Sequence, residues 1–490
     1  MKFLTCLAAV ALLLALTGCQ EEPLNRPEDL TADRDLAAPW VDPERAAFEI
    51  MNLSAFPFDP EIALPAGLAA AGDKSLACLL GMEREDLGNG VAHYAYTLKV
   101  GCGQYDRIKL HRVVKETRPG RPVRTDGNIF LQHGDAVGFV KFLFGAAAPS
   151  VADDFAAAIS WAAAGVDVWG IDQNWVLVPE DTADFGFMAD WGVDNQVDNL
   201  RAALAVARFV RLFSGEGFGR MNLLGYSSGG ATGYALLNRE AGLPAVQRHV
   251  GGYISADMLY KYDPVYEASR QLMCADVEYQ RSRLDSGDFV EPIPFVPLGE
   301  LAADDPDGPS PFIEGFTNLQ TALFFGAATF EVWPFSDWWH YWGGTFDAET
   351  GMPTDLRFTP VEAALDFMRT GCTWETLRFI YEYEQIICDE DDIPWDDNFG
   401  AVTVPLLILA PVGGLGEAGV YTAGLTASTD VQILRPALLG PDQWIEDFGH
   451  IDIWTAPQAP ELVWDPLLAW IGEHSEDCRP GRHGNRHDRN

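Results

Sequence analysis

Apolar and polar residues alternate with period two over VAHYAYTLKV (91–100) and RIKLHRVVKE (107–116), with a glycine-bearing turn between them. That alternation predicts a pair of antiparallel strands, ended by GRPVRTDG (120–127). Beyond it the pattern changes. NIFLQHG (128–134) is a short apolar run closed by a polar turn, 151–163 reads as helical, and GVDVWGID (165–172) is another buried strand. NQVDNLRAALAVARFVRLF (195–213) places its apolar residues at helical spacing behind Asp198. RMNLLGYSSGGATGYALLNRE (220–240) reads as strand, turn and helix. HVGGYISAD (249–257), VPLLILAP (404–411) and DVQILRP (430–436) predict further strands, and ELVWDPLLAWIGEH (461–474) a closing helix.

Antiparallel strands followed by strands alternating with helices predict an α/β fold, a mostly parallel sheet covered on both faces. The alternation stops between 258 and 400. That acidic, Pro-rich stretch is too long for a loop, so it predicts an inserted, partly helical cap subdomain between core segments 41–257 and 401–476. Its run TALFFGAATFEVWPFSDWWHYWGG (321–344) supplies Trp333, Phe335, Trp338, Trp339, Tyr341 and Trp342, either packing the cap onto the sheet or roofing a site with apolar surface.

Composition adjusts this picture in three places. A chain of 490 residues with 48% hydrophobic and 21% charged residues supports a large folded core. A formal net charge of −39 excludes recognition of nucleic acid through a basic surface and implies a solvated acidic exterior. The opening MKFLTCLAAVALLLALTGCQ has the form of a signal peptide (1–18), and Leu16-Thr17-Gly18-Cys19 resembles the lipobox of bacterial lipoproteins. That resemblance implies a lipid on Cys19, membrane anchoring and, with Gln20 rather than Asp next, sorting to the outer membrane of the cell envelope. Residues 19–40 read as a flexible tether and 477–490 as a basic tail. Cys78, Cys102, Cys274, Cys372, Cys388 and Cys478 then remain, an even set that predicts disulfides in an exported protein without fixing which of fifteen pairings forms. None of them has metal-ligand spacing, so neither a metal nor a cofactor is expected.

Candidate chemistry centres on Gly225-Tyr226-Ser227-Ser228-Gly229, a G-x-S-x-G sequence between a predicted buried strand and a predicted helix. A serine on a sharp strand-to-helix turn needs small residues two before and two after it, and the helix N-terminus then favours an oxyanion. Centring the motif on Ser228 would put Tyr226 where a small residue is required, so Ser227 is the candidate nucleophile. A serine needs a base. His93, His111 and His249 lie in or beside strands, His340 in the insertion, and His474, His483 and His487 at the C-terminal end. His450, in DFGHIDIW, falls in a loop between the last strand and the last helix, where a base can reach a sheet edge.

These segments resemble an α/β-hydrolase, and locally the acid-lipase (gastric and lysosomal lipase) group: FLQHGD matches its LQHG strand end, GVDVWGID its DVW strand, GYSSGG its elbow, and FGHIDIW its histidine loop. The likeness covers about 91–257 and 404–474, not the insertion. It implies a serine carboxylic-ester hydrolase acting on lipophilic esters, with an oxyanion hole from the backbone N–H groups of Ser228 and Asp135 and with His133 orienting its loop. The acid is open between Asp257, favoured at a strand tip, and Glu417 in APVGGLGEAGVYT. Asp452 reads as a brace of the histidine loop. The alternatives are a peptidase or amidase on the same machinery, and a non-catalytic binding lipoprotein on the same scaffold.

Overall fold

The computed structural model describes residues 78–333 and 335–475. The signal peptide, Cys19, the tether, the Cys78 side chain, Cys478 and the basic tail lie outside the described residues. Among those described, ten strands form one sheet. Three antiparallel strands, β1 (Cys78–Asp86), β2 (Val91–Lys99) and β3 (Arg107–Arg118), lead into β4 (Gly127–Gln132), β5 (Val166–Asp172), β6 (Met221–Tyr226), β7 (Val250–Ala256), β8 (Leu406–Leu409) and β9 (Val431–Leu434). Their spatial order is β1-β2-β3-β5-β4-β6-β7-β8-β9, with Arg121–Pro122 pairing β3. From β5 to β9 every neighbouring pair is parallel.

β4, β5, β6 and β8 are buried along their whole length, as parallel strands between two helical layers must be. Successive residues still serve opposite layers. Phe130, Trp169, Leu223, Tyr253 and Ile408 pack with α2 (Val193–Phe213), α3 (Ser228–Ala241) and α4 (Gly416–Gly424). Leu131, Val168, Leu224, Ile254 and Leu409 pack with residues such as Trp161, Leu467 and Trp470 of the opposite layer, which holds α1 (Ala157–Ala163) and the helix Asp465–His474. The helix expected over 151–163 is confined to its second half because Ala156 is extended. β1, which no periodicity announced, adds an edge strand paired along β2.

Residues 258–400 carry five helices of nine or more residues: Glu267–Asp285, Phe295–Asp304, Asn318–Ala327, Val361–Arg369 and Leu377–Cys388. Part of this segment builds a core of its own around Phe295, Leu298, Trp342, Phe367 and Met368. That core also takes in Ala136, Val137 and Ile451, which flank two of the candidate site residues. The even set of cysteines is only partly paired. Cys274 and Cys388 form a disulfide between two of these helices, whereas Cys102, exposed in the β2–β3 turn, and Cys372 are free thiols.

Candidate active site

The parallel ladder decides what meets at the sheet's edge. Tyr226 and Ala256 are opposite one another on β6 and β7, so Ser227 and Asp257 are the first residues beyond adjacent strand tips. The ladder continues one step past each strand: Ser227 N–H donates to the Ala256 carbonyl at 3.0 Å, and Asp257 N–H to that of Leu409 at 2.9 Å. Both residues then leave through positive φ, 56° at Ser227 and 44° at Asp257. This region is costly for a residue with a Cβ and persists only where the surroundings impose it. At Ser227 the imposition is visible: a Cβ on Gly229 would stand 2.1 Å from the His133 carbonyl oxygen, and one on Gly225 2.6 Å from that of Gly229. The chain can double back this tightly only with glycine at both positions.

Asp257 is fully buried. Its Oδ1 accepts the Leu415 N–H at 2.7 Å and its Oδ2 lies 2.5 Å from His450 Nδ1. With the carboxylate accepting, the His450 proton sits on Nδ1 and Nε2 is left to accept. The imidazole stacks on the Tyr226 ring at 4.7 Å between centroids, with Trp339 and Tyr341 against its other sides. Its loop is strapped to the inserted segment: His450 N–H donates to the His340 carbonyl at 3.0 Å and Ile451 N–H to that of Tyr341 at 2.7 Å. Asp452 Oδ2 accepts from the Gly343 and Gly449 amides and its Oδ1 from Thr359. Burial pushes that carboxyl up to about 6 against those bonds.

Glu417 does not join this group. It lies in the first turn of α4 and forms a two-pronged, exposed ion pair with Arg435, at 2.6 and 3.2 Å. Ser227 and His450 line one cleft of about 560 Å³, open solvent included, with Asp135, Ser228, Phe295, Phe335, Trp339, Tyr341, Phe367 and Tyr383 among its walls. Among the described residues the Ser227 hydroxyl and the imidazole make no direct hydrogen bond, although both line this cleft.

The loop after β4 passes directly over the serine. A Cβ on Gly134 would stand 2.5 Å from Ser227 Cβ and 3.1 Å from its Oγ. Neither the Asp135 nor the Ser228 amide is spent on an acceptor among the described residues. Ser228 Oγ donates to Asp135 Oδ1, joining two residues that line the cleft. Beneath them the Gln173 amide donates to His133 Nε2 at 3.1 Å, so the ring is a neutral Nδ1–H tautomer bonded to the Gly134 carbonyl. Burial lowers its proton affinity further. Gln132 and Gln173, side chains that no sequence signal singled out, complete this support: Gln132 donates to the His133 carbonyl and accepts from Gln173, each at 2.9 Å.

Of the aromatic residues in 333–342, Phe335, Trp339 and Tyr341 wall the cleft. Trp342 is fully buried, packs on Phe367 and donates to Thr455.

No family model and no curated protein sequence matches this chain. Solved structures do. A candidate lipase from Sulfolobus solfataricus is 17% identical, covering 81% of this chain and 99% of its own, with a TM-score of 0.54. A soluble variant of monoglyceride lipase from Saccharomyces cerevisiae (10% identical, 86% and 99% covered, TM-score 0.40) and a thermostable carboxyl esterase from Bacillus coagulans (10%, 78% and 98%, 0.41) align more loosely. The first of these likenesses and the mixed, mostly parallel sheet agree on an α/β-hydrolase fold.

Proposed function

We propose that the protein is a serine carboxylic-ester hydrolase acting on lipophilic esters. The observation that carries this reading is one cleft holding Ser227 at a strained turn and a His450 imidazole held by the buried Asp257, beside two unspent backbone amides. Ser227 Oγ attacks the ester carbonyl while His450 Nε2 takes its proton. The Ser228 and Asp135 amides bind the oxyanion, and Asp257 stabilises the imidazolium. Collapse expels the alcohol, which leaves with the proton from His450, and water hydrolyses the acyl-enzyme by the same proton route. The aromatic walls favour an apolar acyl or aryl group near the reacting carbon.

A serine-directed fluorophosphonate probe tests the assignment, with nitrophenyl esters of rising chain length and matched amides as substrates. Labelling that vanishes in Ser227→Ala, with esters turned over far faster than amides, is expected. A folded protein that takes no label sinks the reading, and comparable amide turnover transfers it to a peptidase or amidase. Anchoring through a lipid on Cys19 belongs to the same proposal, and a Cys19→Ser chain should leave the membrane fraction.

A further inference from the structure

Glu375 is a second acid at this site that the proposed reaction does not use. It lies in the short strand Trp374–Thr376, paired with Val290–Pro292, and is 1% exposed. Its Oε1 has no hydrogen-bond partner. Its carboxyl lies against that of Asp135, close enough for the two side chains to share a hydrogen bond. The same stretch of chain grips this loop elsewhere. Cys372 N–H donates to the Ala136 carbonyl at 2.9 Å, and Lys141 Nζ reaches Thr370 Oγ1 at 2.5 Å. Ala136 is held at φ 60°.

A buried carboxyl in contact with a second carboxyl cannot ionise at low cost, so the pair retains a proton. Burial first, then Asp135, pushes the Glu375 carboxyl well above the usual carboxylate range. The groups around it offer no relief. Glu291 faces it across the strand pair and is engaged by Arg283. Cys372, whose own thiol is pushed up by burial, Tyr341, Tyr383 and the neutral His133 complete the surroundings. Among the described residues no cation stands in ion-pair range of Glu375 or Asp135.

Resting on the hydrolase reading above, we infer that Glu375 is a positioning residue whose protonated carboxyl donates to Asp135. Asp135 in turn accepts from Ser228, so one hydrogen-bonded chain from the insertion holds the two oxyanion-binding residues in register. The shared proton also spares the oxyanion a second neighbouring negative charge, which a water-poor cleft would make costly. Loss of that proton sets carboxylate against carboxylate and moves the Asp135 amide. Activity therefore falls as pH rises, through kcat more than KM.

The test compares Glu375→Gln, which keeps a neutral donor, Glu375→Leu, which removes it, and Asp135→Asn, which lets Glu375 ionise while still accepting from Ser228. Fluorophosphonate labelling of the wild type and thermal melts run alongside. Expected are an alkaline decline of kcat in the wild type that is absent from Glu375→Gln and Asp135→Asn, neutral-pH kcat within ~3-fold of wild type for Glu375→Gln, and a loss of ~10²-fold for Glu375→Leu. The inference is overturned by an alkaline decline unchanged in both polar variants, by Glu375→Gln losing as much as Glu375→Leu, or by Glu375→Leu retaining wild-type kcat. A labelled wild type with any of these results leaves the hydrolase reading standing. An unlabelled wild type removes both.

Discussion

Replacing Asp257 by Asn is the sharpest perturbation of this site, because the structure dictates how the amide must sit. Asn and Asp have nearly the same volume, so no cavity opens around a position that is fully buried. The Leu415 N–H, 2.7 Å from Oδ1, requires an acceptor there, which fixes the amide oxygen toward Leu415. The amide N–H then points at His450 Nδ1, where the carboxylate now stands at 2.5 Å. Turning the amide over restores an acceptor for the histidine but sets two donors against each other at Leu415. In the first orientation Nδ1 must accept, the imidazole carries its proton on Nε2, and it can no longer take one from Ser227. A histidine held in the wrong tautomer costs ~10⁴-fold in kcat, about 5.5 kcal/mol at the transition state. Nitrophenyl-ester kinetics should show that loss in kcat with KM nearly unchanged, the melting temperature within a few degrees of wild type, and fluorophosphonate labelling slowed in proportion. Glu417→Gln, which breaks an exposed ion pair worth at most ~1 kcal/mol, should leave turnover alone. Turnover preserved in Asp257→Asn but abolished in Glu417→Gln would refute the assignment of the acid.

Gly134→Ala should abolish at least ~10² of kcat without unfolding the chain, since its methyl would meet Ser227 Cβ at 2.5 Å and the Tyr226 carbonyl oxygen at 2.9 Å, neither of which can yield; wild-type kinetics in that variant would contradict the loop's placement. Thermal stability should decline as pH rises from about 6.5 toward 9, above the range in which the buried histidines with lowered proton affinity contribute in the opposite sense. Burial raises Glu382 to about 7, Glu384 to about 8 and Asp452 to about 6, so the folded state holds protons the unfolded chain releases. Their contribution, about 3–5 kcal/mol each at most, is complete below the ordinary carboxylate range and lost as pH climbs through those raised values. Glu384→Gln should flatten the melting-temperature profile, and a profile rising over that range would contradict the assignment. Breaking the Cys274–Cys388 bridge, which closes 114 residues of the insertion, should cost up to ~4–5 kcal/mol of unfolding free energy, and urea titrations unchanged by Cys274→Ser with Cys388→Ser would show the bridge to be idle.

Much of the fold was legible in the chain because buried parallel strands and amphipathic helices carry their own periods. LLGY before Ser227 and the helix after it announced the elbow, and the small residues around it have a local steric reason that a sequence displays. Cysteine count was a poorer guide, since pairing depends on approach in space: Cys274 and Cys388 meet, while Cys372 lies under the loop after β4 with its amide on Ala136. The edge strand β1 escaped because its alternation is weak, CLLGMERED carrying apolar and charged residues in blocks.

By itself, then, the sequence determined the layered architecture and the serine turn, and it marked the histidine loop before the last helix, because each is written in the pattern of neighbouring residues. Which carboxyl reaches His450 was decided by tertiary structure. The β6–β7 register sets Asp257 level with Ser227, whereas helix α4 turns Glu417 outward to Arg435. Glu375 was beyond sequence reasoning altogether, because nothing near it in the chain marks it. Its meaning comes from a contact across 240 residues of chain, where burial and the neighbouring Asp135 together raise the Glu375 carboxyl well above the usual carboxylate range.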